Sequence, residues 1–107
     1  MTGESNAKSG GGGGVSVLET HDFTAQGGNH IVTYTPPAGT KFALIDFIYG
    51  PTYSGHSFTR PGDEFDLTTM VEGNPSEAGH VYMSASLFQI QGVGMEYTTR
   101  GTVTFYG

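Results

Sequence analysis

The chain contains no cysteine among its 107 residues. Disulfide frameworks, thiolate zinc sites and cysteine nucleophiles are therefore excluded. Because small secreted domains are commonly cross-linked, a cysteine-free chain is more typical of folding in a reducing cytosol. The sequence also lacks an apolar run long enough to span a membrane, and its first residues lack the apolar segment of a signal peptide. We therefore expect a protein that folds in the cytoplasm and has no membrane partner.

Charge is the second scarce feature. Only 13% of the residues are charged, the net charge is −6, and no basic run is present. Because an acidic chain repels phosphate backbones, we expect no nucleic-acid partner.

Long helix-forming stretches are the third absence, whereas glycine is abundant with 18 residues. Glycine at this frequency interrupts helices and suits turns and β-bulges. The plentiful threonine, tyrosine, phenylalanine and valine favour strands. A chain of this length can bury one modest core. The composition therefore predicts a single all-β domain.

Residues 41–49 form the densest apolar run and alternate like a strand. One face is wholly apolar: Ala43, Ile45, Phe47 and Tyr49. The opposite face is apolar except for one acid: Phe42, Leu44, Asp46 and Ile48. This pattern predicts a strand that is covered on both faces. Since a sandwich strand has one inner face, we expect the second face to be a subunit contact. If that face were interior instead, Asp46 would need a partner there.

The remaining elements are short strands separated by turn sequences. We predict strands at 15–21, 30–35, 57–59, 64–71, 81–91 with a bend at 84–86, 93–99 and 102–106. A hairpin is expected between 30–35 and 41–49, a long loop at 50–62, a type II turn at 60–63, a helical turn at 74–77 and a short turn at Arg100-Gly101.

We expect Phe65, Leu67, Thr69 and Val71 to face inward, with Phe65, Leu67, Val103 and Phe105 forming the core beneath residues 41–49. About seven or eight strands at this spacing are typical of an antiparallel β-sandwich, jelly-roll-like in its connections.

Residues 1–14 form a low-complexity arm that ends in five consecutive glycines. Its composition is that of a flexible linker and cannot form a core. We expect this arm to lie along another chain, with Gly10, Gly12 and Gly14 as candidate contacts. Residues 15–107 would then be the single folded domain.

No catalytic or metal-binding motif stands out. The four histidines lack metal-ligand spacing, and the clustered pattern of cupin-type metalloenzymes is absent. Asp63, Glu64 and Asp66 could bind calcium, but solvated charges at a strand edge explain them more simply. The sequence shows no spaced carboxylate pair, nucleophile elbow or phosphate-binding loop. We expect no enzyme activity, no metal and no cofactor.

Four aromatic or imidazole side chains are predicted to gather around the loop at 50–62: Tyr49, Tyr53, His56 and Phe58. Such a cluster could anchor a protein interface or stack on sugar rings. Alternatively, Phe58 and one of the two tyrosines could cap the end of the barrel.

Three segments carry a resemblance to a known class. Tyr34 to Lys41 reads Tyr-Thr-Pro-Pro-Ala-Gly-Thr-Lys before an apolar strand. It resembles the Y-T-x-P-A-G-x-x strand–turn–strand of small β-rich structural virion proteins of tailed bacteriophages. Arg60 to Asp63 resembles their x-x-G-D turn, and Gln91 to Tyr97 is similar to their closing G-V-x-x-x-Y segment. The resemblance covers roughly residues 30–107. The pattern's apolar residue before Pro-Ala-Gly is here Pro36, and the glycine arm is not part of it.

The resemblance implies a non-enzymatic structural protein of a phage particle, assembled in the bacterial cytoplasm. Within that class we expect a capsid decoration or cement protein, because the chain has an arm and a doubly apolar strand. The expected partners are the major capsid protein or another virion protein, and two sister subunits in a homotrimer. The first alternative is a carbohydrate- or receptor-binding head of a fibre or spike. The second is a small metal-dependent enzyme of the cupin type.

Overall fold

A computed structural model describes residues 14–73, 75, 77–93 and 97–107. These residues contain eight strands and one short 3-10 helix at Leu67–Met70. The strands are β1 Val17–Ala25, β2 Ile31–Tyr34, β3 Phe42–Tyr49, β4 Tyr53–Thr59, β5 Glu64–Asp66, β6 His80–Met83, β7 Phe88–Gln91 and β8 Thr99–Tyr106. The predicted all-β class and strand number are confirmed.

Two antiparallel sheets of four strands form the domain. The first sheet has the order β1-β8-β3-β4, and the second has the order β2-β7-β6-β5. Their inner faces share one hydrophobic core. Phe88 of the second sheet meets Phe105 of the first edge-to-face, with ring centroids 5.6 Å apart. The arrangement is therefore sandwich-like, as expected.

The core follows the predicted alternation of the central strand β3. Its inner side chains are all buried: Ala43, Ile45, Phe47 and Tyr49. Leu67, Val103 and Phe105 are fully buried beside them, and Phe65 packs against this core while partly exposed. The predicted core residues are thus confirmed.

The second face of β3 is open to solvent within this chain. Phe42 is half-buried, whereas Leu44, Asp46 and Ile48 are exposed. No second layer of the described chain covers this face, so its coverage by another subunit stays a prediction. Asp46 therefore needs no interior partner, and the face remains available for contact with another molecule.

The predicted hairpin between residues 30–35 and 41–49 is wrong. β2 pairs with β7 in the second sheet, whereas β3 pairs with β4 and β8 in the first. Pro36 and Pro37 lie between β2 and β3 and have no backbone N–H to extend a ladder. The chain turns after them, where the Thr40 N–H donates to the Pro37 carbonyl at 3.1 Å, and it crosses to the other sheet.

The predicted long loop at 50–62 is also wrong in its main part. Residues Tyr53–Thr59 form β4, an edge strand of seven residues that pairs with β3 along its whole length. Serine, glycine and histidine have weak strand preference here, but pairing to the apolar β3 overrides it. The type II turn at 60–63 is consistent with the structure, since the Asp63 N–H donates to the Arg60 carbonyl at 2.9 Å and Gly62 has φ 103°.

Residues 64–71 do not form one continuous strand. β5 ends at Asp66, the 3-10 helix follows, and Val71 makes a single bridge to Gly55. This path carries the chain from the second sheet to the edge of the first. Because the 3-10 turn breaks the two-residue period, Thr69 points to solvent and not inward.

The C-terminal third departs from expectation at two turns. The bend expected at 84–86 is the turn of a hairpin between β6 and β7, closed by the Ser84 N–H on the Leu87 carbonyl at 2.6 Å. Arg100 and Gly101 lie inside the continuous strand β8 and make no turn. A Cβ atom at position 101 would overlap the Asp46 carbonyl oxygen, so glycine here permits a close approach of β8 to β3.

The remaining predicted elements fall partly outside the described residues. The helical turn at 74–77 includes residues 74 and 76, and the strand at 93–99 includes residues 94–96. Both stay predictions.

Candidate functional site

The outer face of the first sheet is the surface where five of the candidate residues meet. Strand alternation directs every second side chain of β1, β8, β3 and β4 away from the core. The registers of these four strands then align the outward side chains in rows across the sheet. The face has two parts, an aromatic patch at one end and a polar groove at the other.

The aromatic patch consists of Phe42, Leu44, Phe58 and Tyr106. The Phe42 ring stacks on Tyr106 at 4.9 Å and on Phe58 at 4.8 Å between centroids. Leu44 lies opposite Phe58 in the register of β3 and β4. The exposed fractions are 52% for Phe58 and 37% for Leu44. The patch therefore presents adjoining apolar side chains to solvent.

A cation borders the aromatic patch. The guanidinium carbon of Arg60 lies 5.6 Å from the centroid of the Phe58 ring. This distance allows a cation–π contact, which is worth about 0.5–1 kcal/mol at an exposed site. Arginine beside stacked aromatic rings is a combination common among residues that anchor protein interfaces.

The groove lies beyond the patch on the same face and has a volume of about 840 Å³. One wall is formed by Met70 and Glu72, which lie beside the outer edge of β4. The bridge between Val71 and Gly55 holds this wall, together with the Glu72 N–H, which donates to the Ser54 carbonyl at 2.9 Å. The opposite wall is β1, and β8 and β3 lie between them.

Glycine allows this wall to approach. A Cβ atom at Gly55 would lie 2.6 Å from the Met70 carbonyl oxygen and 2.8 Å from the Phe47 ring. A larger residue would therefore displace either the wall or a core side chain.

Polar side chains cross the groove in a row. Thr102 of β8 pairs with Asp22 on one side and Asp46 on the other, and Asp46 pairs in turn with His56. Arg100 lies in the next row, between Thr24 and Ile48.

The groove carries an excess of negative charge. Three carboxylates line it, those of Asp22, Asp46 and Glu72, against the single guanidinium of Arg100. Among the described residues, none of these four side chains has an ion-pair partner. The groove therefore has unmatched charge that faces solvent.

The residues of β3 and β4 that the sequence predicted for an interface lie on opposite sides of the first sheet. Five of them share the outer face: Phe42, Leu44, Ile48, His56 and Phe58. Tyr49 is buried, and Tyr53 is half-buried with its ring 6.5 Å from Tyr97. The expected cluster of four around a loop is therefore not formed, because residues 53–59 are a strand whose neighbours point to opposite sides. Gly14 is exposed before β1, and Gly10 and Gly12 lie outside the described residues.

Several residues of this face were missed from the sequence. Tyr106 could have been found, because Val103 and Phe105 were assigned inward and their neighbours must then face outward. Asp22, Glu72 and Arg100 carried no such signal. They join the face only through strand pairing and the path of residues 70–72.

The outer face of the second sheet has a histidine between two acids. The Nδ1 of His80 lies 3.0 Å from an Asp66 carboxylate oxygen, and its Nε2 lies 2.9 Å from one of Glu64. The hydrogen bonds to Asp66 and then to Glu64 raise the pKa of His80. The third acid of the calcium alternative, Asp63, accepts from the Arg60 N–H at 2.7 Å. Each of the three carboxylates is thus engaged by a protein donor.

Two further observations bear on function. The described part of the chain holds no group of three or more histidine, cysteine or acidic residues placed to bind a metal ion. It also contains no helix with the length and apolar character that crossing a membrane requires.

No family model, curated protein or solved structure matches this chain. The resemblance to virion proteins therefore stays a prediction, and function has to be argued from the surface itself.

Proposed function

We propose that this protein is a non-enzymatic structural protein that binds other proteins through the outer face of its first sheet. The observation that supports this best is the aromatic patch of Phe42, Leu44, Phe58 and Tyr106. Adjoining exposed apolar side chains on a soluble domain often mark a protein contact. Burying apolar surface contributes about 25 cal/mol per Å², and an aromatic side chain buries about 150–250 Å². Covering this patch would therefore be a substantial source of binding energy.

The assembly that we propose is a tailed-phage particle. The support is the resemblance carried by residues 34–41, 60–63 and 91–97. In this proposal the protein is a capsid decoration or cement protein with jelly-roll-like connections, bound to the major capsid protein or another virion protein. It forms a homotrimer, and the aromatic patch of each subunit contacts the other virion protein.

The arm at residues 1–14 would supply a second attachment. Ser16 and Gly107 exchange two backbone hydrogen bonds of 3.0 Å, beside the pairing of Val17 with Tyr106. Ser16 therefore lies at the end of the sheet that carries the aromatic patch. An arm that orders on a neighbour loses conformational entropy, so the patch and repeated contacts in an oligomer would add the necessary avidity.

The experiment compares Phe58→Ser with Ile31→Ser. Ile31 is the matched control because it is 48% exposed and lies on the second sheet. We expect Phe58→Ser to reduce particle binding at least about tenfold, which corresponds to about 1.4 kcal/mol, and to leave self-association unchanged. Ile31→Ser should change both by less than about twofold. Mass in solution and co-sedimentation with particles measure the two effects. A wild-type protein that is monomeric and binds no particle at any concentration contradicts the proposal.

A carbohydrate- or receptor-binding head is the second candidate. One observation favours it, since His56 and Phe58 both point outward from β4 beside the polar groove. Tyr49 and Tyr53 no longer contribute to such a site, because they face inward. A glycan array of wild-type protein and Phe58→Ser tests this candidate, which requires a glycan whose signal the substitution removes.

A further inference from the structure

The groove and the aromatic patch form one surface with two chemistries. Asp46 and Leu44 are neighbouring outward positions on β3, and His56 and Phe58 are neighbouring outward positions on β4. A partner that covers the patch therefore extends over the groove. Because the groove has three carboxylates against one guanidinium, its occupant must supply positive charge or leave those carboxylates unmatched.

The central row of the groove suits an ammonium or guanidinium group. Adjacent strands lie about 4.8 Å apart, so a group seated over Thr102 is about 5 Å to the side of both Asp22 and Asp46. A lysine ammonium has three donors and no acceptor. Two donors can reach the carboxylates and the third can reach the Thr102 hydroxyl. Hydrogen bonds between ionised partners are roughly twice as strong as neutral ones.

The groove also has room for the stem of a long basic side chain. Ile48 and Met70 line it beside the acids, and their exposed fractions are 39% and 43%. Lysine and arginine pack their methylene groups on such apolar surface while the charged end reaches polar groups.

Charge complementarity distinguishes among possible occupants. A second copy placed groove to groove would bring like charges together, which is unfavourable. Phosphate groups would meet the same repulsion. We propose that the occupant is a segment of a different protein in which apolar residues, for the aromatic patch, are followed by lysine or arginine, for the groove. This inference rests on the proposed function, because it specifies the partner of the same face.

The test uses a fluorescein-labelled peptide of three leucines followed by three lysines. One control peptide has glutamate in place of lysine, and the other has serine in place of leucine. Binding is measured by fluorescence anisotropy with wild-type protein, Asp22→Asn, Asp46→Asn and the double variant. Glu77→Gln is the matched control, since Glu77 is an exposed carboxylate that does not line the groove. Thermal unfolding of each variant checks that the fold is retained.

We expect the lysine peptide to bind at least about tenfold more tightly than the glutamate peptide. Each single Asp→Asn change should raise Kd by about threefold, as for an exposed ion pair, and the double change by about tenfold. Glu77→Gln should leave Kd unchanged. Raising the salt from about 0.1 M to about 1 M shortens the Debye length from about 10 to about 3 Å and should weaken wild-type binding.

Three outcomes would overturn the inference. They are equal binding of the lysine and glutamate peptides, a double variant with wild-type affinity, and no binding of either peptide. Phe58→Ser separates this failure from that of the proposed function. If Phe58→Ser still reduces particle binding when the groove variants do not, only the inference of a basic partner segment is contradicted. If groove charge controls peptide binding while Phe58→Ser leaves particle binding unchanged, the proposed role of the aromatic patch is contradicted.

Discussion

The outer faces of the two sheets are built by the same alternation of side chains, but from different residues. On the second sheet, polar groups bond to one another across strands. The Gln89 amide donates to the Thr33 hydroxyl at 3.5 Å, the Gln91 amide donates to the Asn29 side-chain oxygen at 3.3 Å, and His80 bonds to two acids. On the first sheet, stacked aromatic rings adjoin a groove whose charges have no ion-pair partners among the described residues.

On the second sheet, the exposed side chains of Ile31 and Tyr82 lie among these bonded polar groups, whereas on the first sheet exposed apolar side chains adjoin one another. Side chains that satisfy their hydrogen bonds within a sheet need only water above them. Exposed aromatic rings and unmatched carboxylates gain free energy when a complementary surface covers them. The contrast therefore supports the proposal that the partner binds the first sheet and not the second.

The largest expected effect is a loss of stability that differs between the inner and outer sides of the first sheet. Phe105 is fully buried on its inner side, and Phe58 is 52% exposed on its outer side. We expect Phe105→Ala to lower the free energy of unfolding by about 3–5 kcal/mol. Phe58→Ala should lower it by about 0.5 kcal/mol or less. Urea unfolding of both variants measures the contrast, and similar losses would show that Phe58 belongs to the core and not to a binding face.

The next effect concerns the contact that shapes the groove. A methyl group at position 101 would meet the backbone of Asp46 and Phe47, which cannot move without disturbing the pairing of β3 and β8. We expect Gly101→Ala to lower the free energy of unfolding by about 1–3 kcal/mol. Gly14→Ala is the control, because no atom lies within 4 Å of its Cβ position, and it should change stability by less than about 0.5 kcal/mol. Denaturant unfolding of both variants measures these changes. If Gly101→Ala left the free energy of unfolding unchanged, the close approach of β8 to β3 would be contradicted.

The smallest expected effect concerns His80 on the outer face of the second sheet. Both ring nitrogens of His80 meet carboxylates, which only accept, so both hydrogen bonds require the protonated imidazolium. Because the folded-state pKa of His80 is raised above the unfolded value of about 6.5, its stabilising contribution is fully present below that value. The contribution is lost as the pH rises through the folded pKa.

We therefore expect the melting temperature of the wild-type protein to fall as the pH rises from about 6.5 through the folded-state pKa of His80. The melting temperature of His80→Gln should fall less over the same pH range. Thermal unfolding at a series of pH values measures the difference. His21→Gln serves as a control, because His21 pairs with a single acid, Glu19, on the first sheet. Identical pH profiles for wild type and His80→Gln would show that the two hydrogen bonds do not stabilise the second face.

The local sequence pattern predicted those features of the fold that depend on a single strand or turn. The alternation of residues 42–49 predicted which side chains of β3 are buried, and Pro61-Gly62 predicted the turn before β5. The same reasoning placed Phe42, Leu44 and Ile48 on one shared face, because period two is a property of any extended chain. It was wrong for residues 53–59, whose strand state depends on pairing to β3 and not on their own preference.

The sequence by itself determined the all-β class, the inward residues of β3 and β8, and the presence of a surplus apolar face. Only the tertiary structure decided that β2 pairs with β7, that Tyr106 stacks beside Phe42, and that Asp22, Asp46 and Glu72 line one groove. The physical reason is the range of the interactions. Alternation and turns are local, whereas strand pairing joins residues as distant as Asp22 and Thr102 and is settled by which arrangement buries the most apolar surface.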